Sequence, residues 1–399
     1  MVSLSEKQQD AIRVLMSRAV ESKTLPALFC GVTDQNGELF MHQAGRKVLG
    51  DPSSDPLDEN TIFWICSQTK LITTIAALQL IEQGKLQLST LVSDILPEAA
   101  NPVIVTAVGE DRKPTATTPA TTPLTIGHLL NHTSGMEYNL DGQTPGTLSD
   151  ATAHAYGEDE DSSTFFRLNQ VPLVYSGPTP VILTLLPRAL FLVNCSNSNQ
   201  GPPVGVLRFF PPEFNSNSPV AYGLSTDFLG FAIERVSGKS LDQYFKDHIF
   251  SPLGITSATF HLTPDLKKRL MPLSVRAGDN LEQYNGQIKI IAEKTLDFGG
   301  VGLYSSLKDY LALLRHFLQI QGGKAENPIL KATSVDAIFQ PTLNEKGANS
   351  LAKMFGVPEG SVQFGTGLMV TTVDFPGRRK KGTGAWAGWA CTSHFIDPD

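Results

Sequence analysis

"FWICSQTKLITTIAALQLIEQGKLQL" (residues 63–88) starts on aromatic and β-branched residues, passes through Ser-Gln-Thr-Lys, and continues as an almost wholly apolar run stopped by Gly84. The apolar part predicts a buried helix over 71–83, with Leu71, Ile72, Ile75 and Leu78 among its core contacts. Positions i and i+3 share a helix face about 5–6 Å apart, so the side chains of Ser67 and Lys70 can meet where that helix begins. The free N–H groups and positive dipole end of a helix N-terminus favour a developing negative charge there. Burial and the same positive potential push a lysine amine toward its neutral, proton-accepting form. These are the parts of an activated nucleophile. Ser67 is also a good N-cap residue, and the tetrapeptide alone leaves both readings open.

The flanking chain alternates in character. "MVSLSEKQQDAIRVLMSRAVES" (1–22) predicts an amphipathic helix with Ile12, Leu15, Met16 and Ala19 on one face and a capping box at Ser5 and Gln8. "ALFCGVTDQNGELFMHQAG" (27–45) holds two β-rich runs around Asn36-Gly37, a strong hairpin signal. Strand patterns return only near the end, in "SVQFGTGLMVTTV" and "GTGAWAGWACTSHFID", and the middle reads as helix. Further helices are expected over 228–236, stopped by Gly238, and over 307–318, opened by a capping box at Ser306 and Asp309. Strands at both ends around a helical middle predict an α/β fold: a sheet domain of residues 1–66 and 285–399, and a mainly helical domain of 67–284 inserted in it. A cleft between two such lobes is a common place for a site. Residues 175–217 mix Pro-rich loop with apolar segments and show no clear period, which reads as an atypical insertion. The final "FIDPD" is a strand followed by a turn signal, so further sheet elements are expected beyond it.

Composition narrows the function classes. The chain has 399 residues, 41% hydrophobic and 18% charged, with 32 Lys+Arg against 39 Asp+Glu and a formal charge of -7. That balance argues against a nucleic-acid surface; the one basic block, Arg378-Arg379-Lys380-Lys381, fits a solvated turn. No run approaches transmembrane length and the N-terminus lacks signal-peptide character, so a cytoplasmic protein without a membrane partner is expected. Cys30, Cys66, Cys195 and Cys391 are scattered with no metal spacing, and His128, His154, His248 and His261 form no ligand cluster; no metal is expected. Gly299, Gly300 and Gly302 are not followed by the G-K-[ST] of a phosphate loop, which favours close backbone packing.

Further segments fall in an order that carries a resemblance. After "SQTK" come "LTIGHLLNHTSGM" (124–136), "VAYGLSTDFLGFAIERVSGKSLDQYF" (220–245), "DFGGVGLYSSLKDYLALL" (297–314) and "GTGAWAGWACTSHFIDP" (382–398). Together they resemble the penicillin-binding protein and class C β-lactamase superfamily, in its esterase and fungal, lovastatin-acyltransferase-like branch. The resemblance implies a β-lactamase/transpeptidase-like fold, an antiparallel sheet flanked by helices plus an inserted all-helical domain. It implies Ser67 as nucleophile, with Lys70 and Tyr222 as a coupled pair that shuttles its proton. The amides of Ser67 and Trp389 would form the oxyanion hole, in a strand segment Trp386-Ala387-Gly388 that stands in place of Lys-Thr-Gly, with Gly300 on the glycine-rich turn by the cleft. His132 sits at a helix end and fits a structural histidine better than a base. Trp386 and Trp389 fit sheet packing and an acyl pocket equally well.

The departures are informative. Tyr222 is followed by Gly223 and Leu224, so the lactamase Y-x-N asparagine is missing, and the last strand has no Lys-Thr-Gly cation for a β-lactam carboxylate. Penicillin hydrolysis is therefore not the expected main activity. The long 175–217 stretch stands where the family has a short turn into the tyrosine. The expectation is a cofactor-independent serine acyltransferase or esterase. It would take an acyl group from a small-molecule ester or thioester, free or carrier-bound, and pass it to an alcohol or to water in secondary metabolism. A plain carboxylesterase or β-lactamase-like hydrolase is the near alternative, and an inactive binding relative the distant one.

Overall fold

The computed structural model describes residues 4–108, 114–136, 192–193, 222–277, 279–284 and 296–397. Their elements run α1 (Glu6–Glu21), β1 (Ala27–Thr33), β2 (Glu38–Gly45), β3 (Ile62–Trp64), a 3₁₀ turn (Cys66–Gln68), α2 (Thr69–Glu82) and α3 (Val92–Ile95). Next come β4 (Val103–Val108), β5 (Pro114–Pro119), α4 (Ile126–Leu130), β6 (Leu192–Val193), α5 (Ser225–Ser237), α6 (Leu241–Phe245) and α7 (Pro264–Arg269). The last part is β7 (Ser274–Ala277), β8 (Asn280–Gln283), β9 (Tyr304–Ser306), α8 (Leu307–Gln321), α9 (Ala332–Phe339), α10 (Glu345–Met354), β10 (Val362–Phe364), β11 (Met369–Thr371), β12 (Gly384–Gly388) and β13 (Thr392–Ile396).

The β1–β2 hairpin turns at Asn36-Gly37, where the Asp34 carboxylate accepts the amides of both turn residues. Alternation along β1 divides the strand between two cores, because successive side chains point to opposite faces. Leu28 and Cys30 pack with Met16 of α1 in a small cluster, whereas Ala27 and Phe29 face the main core. Ser5 and Gln8 form the expected capping box of α1. One expectation for that helix fails: Leu15 is 68% exposed. Ile12, Met16, Ala19 and Val20 already cover the hairpin, and Leu15 lies beyond the edge of that stripe.

The C-terminal strands form an antiparallel sheet of order β10-β11-β12-β13-β6. Of the atypical 175–217 segment, only Leu192–Val193 are described; they pair with β13 and contact β1. The rest of that stretch lies outside the described residues. The middle of the chain is less purely helical than expected, since β4–β5 and β7–β8 form two separate hairpins there. β5, β7 and β8 carry threonines, serine or charged residues among few apolar ones, and β4 is a nearly continuous apolar run, so no apolar alternation marks these strands in the sequence.

Helix α2 is the structural axis. Every residue from Thr69 to Leu80 is buried, as befits a helix packed on all sides, and it contacts both α5 and α6. Just ahead of it, β3 pairs with β9 through Trp64 and Tyr304. This pairing fixes the start of α2 beside the glycine-rich turn that precedes β9, and so places residues distant in sequence around one point.

Candidate active site

The chain changes from strand to helix within two residues. Cys66 takes φ +50°, a left-handed conformation that costs a non-glycine residue on the order of 1–3 kcal/mol. Neighbours hold it there. Thr69 Oγ1 donates to the Cys66 carbonyl at 2.6 Å and accepts the Leu303 amide at 3.1 Å, Thr392 Oγ1 donates to the Ile65 carbonyl at 3.1 Å, and the Ala390 amide donates to Cys66 Sγ at 3.2 Å. Ser67 therefore lies in the 3₁₀ turn before α2 and does not cap it: the N-cap position is Gln68, with no side-chain cap bond.

Two side chains meet at the Ser67 hydroxyl. The Tyr222 phenol donates to Ser67 Oγ at 2.6 Å, and Lys70 Nζ lies 3.3 Å from the same oxygen. Lys70 is 1% exposed and also donates to the Gly300 carbonyl at 2.8 Å, with Nζ 4.7 Å from the centre of the Tyr222 ring. Burial pushes the Lys70 ammonium down to about 8, against the opposing pull of Asp227 and Cys66. Burial moves the Tyr222 phenol the other way, well above its ordinary range, although the Ser67 hydrogen bond works against that rise. Near neutral pH the tyrosine thus remains a proton donor, while the lysine is the group able to give up and regain a proton.

The other expected residues gather around this point. Gly388 at the end of β12 abuts the turn that carries Ser67 so closely that a Cβ would sit 2.5 Å from the Ile65 carbonyl oxygen and 2.9 Å from Cys66 Cβ. Trp389 follows it, 40% exposed, with its ring 6.0 Å from that of Trp64. Trp386 is buried and belongs to an aromatic wall: it stacks on His132 at 6.0 Å and meets Tyr222 at 5.9 Å and Phe364 at 5.3 Å. His132 is held well below the ordinary histidine range by burial and by the Lys70 charge, so it presents a neutral ring to the tyrosine. The glycine-rich turn packs tightly, as expected: a Cβ on Gly299 would meet the Thr226 carbonyl oxygen at 2.7 Å.

The sequence reading missed Asp227. It is fully buried in the first turn of α5 and its Oδ1 accepts the Gly300 amide at 2.8 Å. The available signal was a carboxylate five residues after Tyr222, just before the apolar run Phe228–Ile233. Among the described residues no group of three or more His, Cys, Asp or Glu could hold a metal, and no helix is long and apolar enough to cross a membrane.

The profile of a protein family described as Beta-lactamase matches residues 12–399. The chain belongs to the beta-lactamase family. Among curated members it is similar to lovastatin esterase of Penicillium rubens, 28% identical over 388 residues that cover 93% of this chain and 85% of that protein. It is also similar to monacolin J acid methylbutanoyltransferase of Aspergillus terreus, 27% identical over 403 residues covering 96% and 86% of the two chains. Among solved structures, unliganded simvastatin synthase from Aspergillus terreus superposes with a TM-score of 0.73 at 24% identity, covering 98% of this chain and 89% of that one. EstCE1, a hydrolase with promiscuous acyltransferase activity, gives 0.69 at 20% identity, with 98% and 90% covered. The β-lactamase/transpeptidase-like fold expected from the sequence is thus the fold observed.

The approach of β12 to the Ser67 turn is itself testable. Gly388→Ala places its methyl against backbone that cannot yield, so β12 must move away from Ser67. The expected result is a kcat loss of about 10²-fold, the scale of one misplaced oxyanion donor, with a smaller change in KM. Steady-state kinetics on a chromogenic ester measures both.

Proposed function

We propose that the protein is a serine acyltransferase or esterase that forms an acyl-enzyme on Ser67. It takes the acyl group from a small-molecule ester or thioester and delivers it to an alcohol or to water. The observation that carries this reading is the convergence of the Tyr222 phenol and the Lys70 amine on one serine oxygen, from positions 155 and 3 residues away. The enzyme class agrees with that of its family relatives, an esterase and an acyltransferase.

The proton path follows from the two shifted groups. With the phenol donating to Ser67 Oγ, the serine's own proton is directed at neutral Lys70, which accepts it as the oxygen attacks the acyl carbonyl. The oxyanion forms beside the N-terminus of α2, where the amides of Ser67 and Trp389 serve as donors. Tyr222, backed by the newly charged lysine, protonates the departing alcohol or thiol. An incoming alcohol or water gives its proton to the same pair as it attacks the acyl-enzyme, and the pair protonates Ser67 Oγ as the acyl group leaves it. Because only neutral Lys70 starts this sequence, kcat/KM should rise with pH and level off above a midpoint near 8. A profile flat from about pH 6 to 9 would remove Lys70 as the acceptor.

Acyl transfer in the making of a secondary metabolite is the favoured reading, with a polyketide-like alcohol as acceptor and a free or carrier-bound thioester as donor. The similarity to a methylbutanoyltransferase over 96% of this chain supports it. Hydrolysis is the second reading, favoured by the similarity to lovastatin esterase. The cleft between a sheet lobe (1–66 and 285–399) and a helical lobe (67–284) would admit the substrates, with Trp386 and Trp389 on its wall. The deciding experiment supplies a short-chain acyl thioester with and without polycyclic alcohols and follows both products by chromatography and mass spectrometry. Acylated alcohol exceeding free acid identifies a transferase. Free acid unaffected by any alcohol identifies an esterase, and no turnover of either kind contradicts both.

A further inference from the structure

Resting on that reading, we infer that Asp227 is a positioning residue for the proton-transfer pair: by gripping the Gly300 amide it aims the Gly300 carbonyl at Lys70 and places a buried negative charge behind the amine.

The turn that carries Gly300 is held from two helices. From α2, Thr73 Oγ1 donates to the Gly299 carbonyl at 2.7 Å. From α5, Asp227 Oδ1 accepts the Gly300 amide at 2.8 Å, and the next carbonyl along, that of Gly300, receives Lys70 Nζ at 2.8 Å. A line of contacts therefore joins the Asp227 carboxylate, the Gly300 backbone, the Lys70 amine and the Ser67 hydroxyl. Asp227 is fully buried, and a carboxylate in that setting is tolerated only where hydrogen bonds and a compensating charge face it. Its bond to a peptide N–H is charge-assisted and stronger than a neutral one. The helix that carries it is tied to the segment of His132 by the Ser134–Ser225 hydroxyl pair at 2.7 Å.

The groups that face Lys70 come from every side of the site. Cys66 and Ser67 lie on the nucleophile turn, Tyr222 lies ahead of α5 and Asp227 on it, and His132 follows α4. His132 and Tyr222 are both held neutral by burial. Asp227 is the strongest charge opposing the effect of burial on the lysine. With that charge removed, Lys70 loses its proton at lower pH, and with the amide grip loosened its amine is less well aimed at Ser67.

The test uses an alkyl fluorophosphonate, which reports on activation of Ser67 without requiring the natural substrate. The second-order rate of labelling is followed by intact mass from about pH 5.5 to 10 in the unaltered protein, Asp227→Asn and Asp227→Glu. For Asp227→Asn the rising limb should move about one pH unit to acid and the plateau should fall about 10-fold. Asp227→Glu, which keeps the charge, should hold the limb within a few tenths of its original position. Asp227→Ser serves as a second neutral variant where the asparagine form does not fold. Coincident limbs in the unaltered and neutral variants, whatever the plateau, overturn the proposal, as does failure of both neutral variants to fold while Asp227→Glu folds. An unaltered protein that takes no label on Ser67 instead overturns the acyl-enzyme reading on which this one rests.

Discussion

Ser67→Ala abolishes ester cleavage and acyl transfer, with a kcat loss of at least about 10⁴-fold, and leaves the melting temperature within about 3 °C of the unaltered protein. The size of the loss follows from the site's construction. Tyr222 and Lys70 both address one oxygen, and without it neither has a group to act on. Where a nucleophile and its proton partners work as a unit, removing the nucleophile costs about as much as removing all of them. What remains is the contribution of substrate binding and oxyanion stabilisation. The small thermal effect follows because the serine makes only ordinary hydrogen bonds, each worth about 1 kcal/mol net, whereas the fold around it is held by Cys66, Thr69 and Thr392. Activity and melting curves on one preparation check both halves. An alanine variant that retains a tenth of the activity would place the nucleophile elsewhere.

Tyr222→Phe and Lys70→Ala each lower the acylation rate by about 10²–10⁴-fold, the range for losing a positioned proton-transfer group. Lys70→Met, which preserves more of the buried volume, separates this loss from packing, because Lys70 is among the largest fully buried side chains. In Lys70→Met the midpoint near pH 8 should also disappear from the rate profile. Tyr222→Phe keeps the ring against Trp386 and His132 and removes only the phenol oxygen 2.6 Å from Ser67 Oγ. The double variant should be little worse than the poorer single one, since the two groups act on the same proton. Pre-steady-state burst kinetics with a p-nitrophenyl ester measures acylation directly. Additive losses would mean that the pair works independently.

Much of this site was legible because its signals are local. Ser67 and Lys70 are three residues apart beside an apolar helix, and that spacing alone brings the two side chains together. Tyr222, Gly388 and Trp389 carry no such local signal; the resemblance of their segments to the family singled them out. What stayed hidden depends on contacts between distant segments. No pattern in "WICSQ" signals a left-handed Cys66, because that conformation is imposed by Thr392 and Ala390 more than 320 positions away. Asp227 reads as one polar residue ahead of an apolar helix until the Gly300 amide, 73 positions on, is seen against it. The β4–β5 and β7–β8 hairpins escaped for a different reason: β4 is a six-residue, mostly apolar run that periodicity alone does not assign, and β7 and β8 are only four residues long. Leu15 shows the limit of periodicity, which finds a helix face but not where its partner surface ends.

The most direct measurement is a mass spectrum of the protein quenched in acid during turnover of an acyl thioester. The expected species is heavier by one acyl group, carried on the peptide that contains Ser67, absent from Ser67→Ala, and discharged when water or an acceptor alcohol is allowed to react. An acyl group found on any other side chain, or one that persists on the alanine variant, would contradict an acyl-enzyme on Ser67.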